Sequence, residues 1–278
     1  MERRKAIKIS VAAIAAGGVG AITLTTAFKP DIKPPAAPEK LGWTQSDSQW
    51  TYLPLDPGIT AALAYREYPN GSCMYGTFTS IILQLAERIG KPFSSFPVQM
   101  MRYGHGGVNG QGTVCGAING AAALIGLLVE GKEHQDALVA ELFSLYENTP
   151  LPVFKPSEPG LDYMPPTSVA KSVLCHASTT RWGKVAGSRI DSKERKERCR
   201  RLTADIAAQT VTILNQYNEN TFFTNAHDNE TVRTCMTCHG NEGKLSNTAG
   251  KMNCTSCHTK SMGHKLFGDA HYRFMKKR

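Results

Sequence analysis

Two short stretches carry the plainest chemistry in this chain. "RTCMTCHG" and "MNCTSCHT" set Cys235, Cys238 and His239, then Cys254, Cys257 and His258, in two Cys-x-x-Cys-His motifs. Thiols at this spacing lie one helical turn apart and can add to the two vinyl groups of a haem, while the histidine that follows is held under the iron. The motifs predict two c-type haems per chain, with Cys235, Cys238, Cys254 and Cys257 as thioether attachments and His239 and His258 as proximal ligands. The 15 residues between the two pairs also fit a zinc ribbon. A ribbon does not call for a histidine after each pair, so haem is the stronger expectation. His227, His264 and His271 flank the motifs and are the candidate distal ligands, two of the three giving bis-histidine coordination. Met262 and Met275 are alternative axial donors. Bis-histidine ligation lowers the potential relative to Met/His and leaves no open position at iron. His134, in a charged helix start, reads as an ordinary histidine.

The other four cysteines, Cys73, Cys115, Cys175 and Cys199, are spread through the middle of the chain. They could form two disulfides, which an exported protein permits, or supply four thiolates to an iron–sulfur cluster. Around Cys115, "GHGGVNGQGTVCGAINGAA" is a glycine-rich loop running into a helix. Amide donors at a helix start lower a thiol's pKa and favour a cluster's negative charge. Gly116 and Gly120 share a helix face, which lets another backbone or a cofactor come close.

Cys73, "CGAINGA" at Cys115–Ala121, Cys175 and Cys199 together resemble the C…GCAxxG…C…C family of redox-active proteins. With the two haem motifs added, the chain resembles the two-haem cytochromes of that family over residues 55–275. The resemblance implies a helical homodimer, two bis-histidine haems per subunit packed close to those of the partner, and a [2Fe–2S] cluster at the four body cysteines. It carries no enzyme activity. The family pattern puts glycine before the cysteine, whereas here Cys115 precedes Gly116 and Ala117.

The elements that must position these residues are mainly helical. "ITAALAYREY", "CMYGTFTSIILQLAERIG", "GTVCGAINGAAALIGLLVEGK", "HQDALVAELFSLYENT", "SVAKSVLCHASTTRW" and "SKERKERCRRLTADIAAQTVTILNQYNEN" each show helical length or 3.6-residue apolar recurrence. Six prolines between Pro150 and Pro166 mark a surface loop, and no strong strand signal stands out. The alternating charges of "SKERKERCRRL" read as a solvated helix face. Beyond Asn220 the sequence turns into short polar segments that a haem would have to order. The expected organisation is a signal or anchor over 1–28, a proline-rich spacer over 29–54, a helical body over 55–220 and a two-haem segment over 221–278.

Arg3-Arg4 before an uncharged run from Ile9 to Phe28 resembles a twin-arginine export signal, which serves proteins that cross the membrane folded. The run is either cleaved near Thr25-Thr26-Ala27 or kept as a membrane anchor. Both place the body in the periplasm or on the outer face of the cytoplasmic membrane. Haem is attached outside the membrane, so a cluster built in the cytoplasm is what would require folded export. The net charge of +9 includes four Lys/Arg and one Glu in residues 1–27, so removing them leaves about +6. That is no nucleic-acid footprint, though it suits an acidic external redox partner. The chain is therefore expected to be an electron-transfer protein. The alternatives are a haem enzyme with an open coordination position and a disulfide-stapled haem sensor or structural subunit.

Overall fold

The computed structural model describes residues 50–224, 226, 230–256 and 258. The signal or anchor over 1–28, most of the spacer, and Cys257, His227, His264 and His271 lie outside these residues. No described helix is long and apolar enough to cross a membrane.

The body is mainly α-helical, as its periodicity predicts. Helix α1 (Pro57–Ile89) starts at Asp56, whose side chain accepts from the Ile59 amide at 2.7 Å, with Pro57 in the first turn. It is interrupted at Ser72, where φ is 68° and ψ −158°. Pro69 removes a helical donor and Gly71 gives the chain freedom to turn, so the break follows "YPNGS". The two helical stretches read from the sequence on either side of this point are the two halves of α1, and Cys73 opens the second. Two 3₁₀ segments, Phe93–Ser95 and Val98–Gly104, lead into a tight glycine-rich loop. Gly106, Gly107, Gly110 and Gly112 there all have positive φ, between 57° and 85°.

Helices α2 (Gly116–Leu128) and α3 (Lys132–Asn148) follow. The proline-rich segment is not wholly a loop, because β1 (Pro150–Leu151) pairs antiparallel with β2 (Ser168–Val169). "SVAKSVL" consequently starts as a strand, and α4 covers only Cys175–Ala186, closing at Gly187 in the left-handed region. Helix α5 (Lys193–Asn218) is capped by Ser192, whose hydroxyl accepts from the Arg195 amide at 3.1 Å.

α1 packs along α5, with α2 against both. Phe78, Ile81 and Leu85 of α1, Ile118, Leu124 and Ile125 of α2, and Leu202, Ile206 and Leu214 of α5 fill one core. The α1–α5 crossing is close. A Cβ added at Gly76 would stand 2.8 Å from Thr203 Cγ2 and 3.0 Å from the Ala64 carbonyl oxygen. Beyond the body, the polar segment expected to be turns contains helix α6 (Glu230–His239), of which only Val232 is buried.

Candidate metal centres

The four body cysteines reach one place by different local devices. Cys73 follows the break in α1, and Cys115 is the residue before α2. Cys175 is the first residue of α4, and Cys199 lies on the buried side of α5. Cys115 and Cys175 are tied together through an isolated bridge, Val114 with Leu174. The Cys115 amide donates to the Val173 carbonyl at 2.8 Å, and the Cys175 amide donates to the Thr113 carbonyl at 2.7 Å. Two helix starts separated by 60 positions are thus fixed by backbone bonds alone. Gly116 lets α2 approach, since a Cβ there would meet the Gly104 carbonyl oxygen and stand 3.1 Å from Cys73 Cβ. At Gly120 an added Cβ would stand 2.7 Å from the Met74 carbonyl oxygen. The shared glycine face therefore receives backbone.

All four thiols influence one another's ionisation. Cys73 bonds to Cys199; this bond first, then burial and the neighbouring Cys199, Cys115 and Cys175, hold its pKa well above the ordinary thiol range. Accepting that same bond, helped by Arg198 and Arg195 against the cost of burial, holds Cys199 well below it. The shared bond and the two guanidiniums thus favour negative charge on Cys199 over Cys73. Burial pushes Cys175 up to about 12, with Cys115 and Cys199 adding to it. Burial also raises Cys115, despite the Tyr146 hydroxyl and the Ala117 amide. As expected at a helix start, the Ala117 amide lowers this thiol, but desolvation outweighs it and the net shift is upward. Cys73, Cys115 and Cys199 are buried, Cys175 is half-buried, and none is in a disulfide. No three His, Cys, Asp or Glu side chains among the described residues converge closely enough to hold a single ion.

Sequence reasoning missed the groups behind the thiols. Arg198 is 1% exposed yet forms no ion pair with a carboxylate among the described residues. Its guanidinium donates to Ser178 Oγ at 2.9 Å and reaches Cys199 Sγ at 3.9 Å, and its Nε is buried without a partner. The Tyr146 hydroxyl is buried against Cys115 and Ser178, where it bonds to the thiol. "SKERKERCRRL" is therefore not simply a solvated face. Glu197, Arg198 and Arg201 are buried, with Arg201 Nε donating to Glu197 at 2.7 Å and the Tyr65 hydroxyl donating to the same carboxylate oxygen. The signal was spacing: Arg198 precedes Leu202 by four residues and Ile206 by eight, so it shares their inward face. A buried cation, an unpartnered Arg198 Nε and a thiol whose ionised form they favour are the surroundings an anionic sulfur-ligated iron centre fits.

In the tail, Cys235 and Cys238 lie one turn apart on α6, which ends at His239. Cys235 is next to Cys254; its pKa is raised first by burial and then by that neighbour. His239 Nδ1 is 2.9 Å from the Asn247 side-chain oxygen, and the amides of Asn247 and Thr248 donate to the His239 carbonyl. Cys254 starts a 3₁₀ turn, and the His258 amide donates back to its carbonyl at 2.9 Å. His134 bonds to the Tyr217 hydroxyl at the surface, which accounts for it as an ordinary side chain.

A helical body that gathers four separated cysteines beside a buried guanidinium defines a redox-protein architecture. Residues 75–213 match the family described as "Putative redox-active protein (C_GCAxxG_C_C)", and the chain belongs to this family. It is 37% identical over 217 residues to split-Soret cytochrome c of Desulfovibrio desulfuricans, covering 76% of this chain and 77% of that protein. A solved structure, described as "a novel iron centre in the split-Soret cytochrome c from Desulfovibrio desulfuricans ATCC 27774", superposes with a TM-score of 0.72 at 35% identity. That match covers 77% of this chain and 92% of the other. The chain is thus a homologue of split-Soret cytochrome c, in a family of redox proteins.

Proposed function

We propose that this protein is an exported electron-transfer cytochrome. It carries two c-type haems on Cys235, Cys238, Cys254 and Cys257, and a [2Fe–2S] cluster on Cys73, Cys115, Cys175 and Cys199. The observation that supports this reading is the gathering of four sequence-distant thiols near a buried arginine that forms no ion pair with a carboxylate among the described residues. When bound, such groups supply one-electron transfer without proton chemistry on a substrate.

The chain's own residues do the rest. Arg198 and Arg195 stabilise negative charge at Cys199, and Tyr146 offers a donor beside Cys115. The α1–α2–α5 core excludes water from three of the four thiols. In the tail, a bond to the Asn247 carbonyl puts the proton on His239 Nδ1 and the lone pair on Nε2, the form a proximal ligand needs. His258 is the matching ligand of the second motif, and two of His227, His264 and His271 complete bis-histidine coordination. Export through the arginine pair, assembly as a homodimer and exchange with an external redox protein belong to the same proposal.

Iron and acid-labile sulfide per chain, measured on anaerobically purified protein beside its visible spectrum, test it. The expected result is about four irons and about two sulfides with low-spin haem. About two irons without sulfide, and body cysteines oxidised in pairs, would refute the cluster and leave a disulfide-stapled haem protein. A high-spin haem would point instead to an open site and an enzyme.

A further inference from the structure

The chain that leaves the first Cys-x-x-Cys-His motif folds straight back onto it. After α6 ends at His239, the Leu245 amide donates to the Cys238 carbonyl at 2.9 Å. The amides of Asn247 and Thr248 donate to the His239 carbonyl at 3.1 and 3.0 Å. Between them the Gly243 amide donates to the Gly240 carbonyl at 2.9 Å, and an added Cβ at Gly243 would meet the Cys238 carbonyl group. These backbone bonds satisfy carbonyls that the end of a helix leaves open, and on their own they make a cap.

The Asn247 side chain does something the cap does not need. Its oxygen lies 2.9 Å from His239 Nδ1, so it serves an imidazole rather than a backbone group. The Thr248 hydroxyl donates to the same oxygen at 3.4 Å, and the amides of Asn247 and Thr248 anchor the backbone that carries it. The position is exposed, where a loosely held amide would lose its bond to water; here its own backbone holds it against the ring. Eight residues after His258 the sequence has Leu266, so the second motif repeats the histidine without repeating the amide.

We propose that Asn247 is a positioning residue for the first haem: it fixes the orientation of His239 and lowers the reduction potential of the haem on Cys235 and Cys238. It rests on haem attachment at that motif, as proposed above, and names the residue that tunes one of the two haems. An acceptor on Nδ1 makes the other ring nitrogen a stronger donor, which favours the oxidised iron.

Potentiometric titration of the full, haem-loaded chain, followed by its visible spectrum, tests it in Asn247→Leu, Asn247→Asp and Ser246→Asp. One of the two haem components is expected to rise in Asn247→Leu by about three- to tenfold in its reduction equilibrium, about 30–60 mV at about 59 mV per factor of ten. The same component is expected to fall in Asn247→Asp, where the acceptor becomes anionic. Ser246→Asp brings equal charge one residue away from the bond and is expected to move it less. The other component moves less in every variant, and the spectra stay low-spin. Loss of a cap alone would change haem occupancy or melting, without moving one potential in opposite directions. Should Asn247→Leu fail to take up haem, Asn247→Asp, which keeps an acceptor in place, carries the test against Ser246→Asp. No movement in the Asn247 variants, movement in the same direction in both, or an equal fall in Ser246→Asp would overturn the proposal. A chain that attaches no haem would refute the function proposed above and this inference with it, whereas two low-spin haems whose potentials ignore Asn247 would refute this one alone.

Discussion

Replacing Arg198 by methionine isolates what the buried guanidinium does. The side chain keeps its length but loses its charge and its donors. At 3.9 Å from Cys199 Sγ, with an effective dielectric of about 20, the attraction between guanidinium and thiolate is about 4 kcal/mol. An electron added to a centre held by four sulfurs is spread farther from Arg198 than that one atom, so 4 kcal/mol is a ceiling. Roughly a third to most of it converts to a fall in potential on the order of 50–150 mV, since 59 mV corresponds to a factor of ten for one electron. The direction follows from charge alone: without the cation, the more negative reduced state is disfavoured.

Two further measurements keep the experiment decisive. Removing one partner of a buried charge pair destabilises unless the other can neutralise, which Cys199 can do by taking up a proton, and Ser178 Oγ loses its donor at about 1–3 kcal/mol. The iron-free variant should therefore still melt cooperatively, with a modest shift. Arg198→Lys, which restores charge without the fork, should recover part of the potential. A potentiometric titration followed by electron paramagnetic resonance reads the effect in loaded protein. An unshifted potential in fully loaded Arg198→Met would refute the charge argument, because Arg198 forms no direct ion pair with a carboxylate among the described residues and Asp205, which feels its charge, is raised towards the neutral form by burial.

Two other substitutions probe the frame. Burial raises Asp205 from 3.8 to about 6, against the amides of Val153 and Phe154 and the charges of Arg198 and Arg201. A folded pKa above the unfolded one contributes stability below about pH 4 that is lost as pH rises through about 6. Asp205→Asn should accordingly raise stability at pH 8, by up to about 3 kcal/mol for a shift of about two units, and change little at pH 4, read from melts at both pH values; equal effects at both would contradict the assignment. Gly116→Ala should cost about 1–3 kcal/mol and reduce iron loading, because the new methyl meets the Gly104 carbonyl and crowds Cys73. Gly126→Ala on the same helix, with open space around it, should instead stabilise by about 0.5–1 kcal/mol, so thermal melts of the pair separate packing from propensity.

Most of the helical frame was legible because its causes are local. Apolar recurrence gave the helices, and their separation into the stretches before and after Cys73 matches the break at Ser72 in α1. The pairing of β1 with β2 and the Val114–Leu174 bridge were not legible, since each depends on a partner distant in the chain and involves too few residues to leave a period. "SVAKSVL" was read as helix for that reason: its composition allows a helix, but the Lys171 amide bonds to the Glu147 carbonyl and Ser168 pairs with Leu151. The cysteines and the two haem motifs could be picked out by type and spacing. Arg198 could not be picked out by charge, because a basic run usually faces water. Only its register with Leu202 and Ile206 betrays it.

The two candidate centres ask different things of a cofactor. In the body, backbone bonds, helix starts and a core fix Cys73, Cys115, Cys175 and Cys199, and the Arg198 charge gives the chain reason to hold a thiolate before any iron arrives. In the tail, Cys238 is exposed, Cys235 and Cys254 are half-buried, and Val232 is all that α6 buries. A covalently attached haem brings to such a segment the apolar surface its sequence lacks. On the proposed function, the body would be loaded as a folded unit, whereas the tail would gain its core only on haem attachment. That asymmetry suits the proposed order of events, in which metal enters the body first, the folded chain is exported, and haem is joined to the tail outside the membrane.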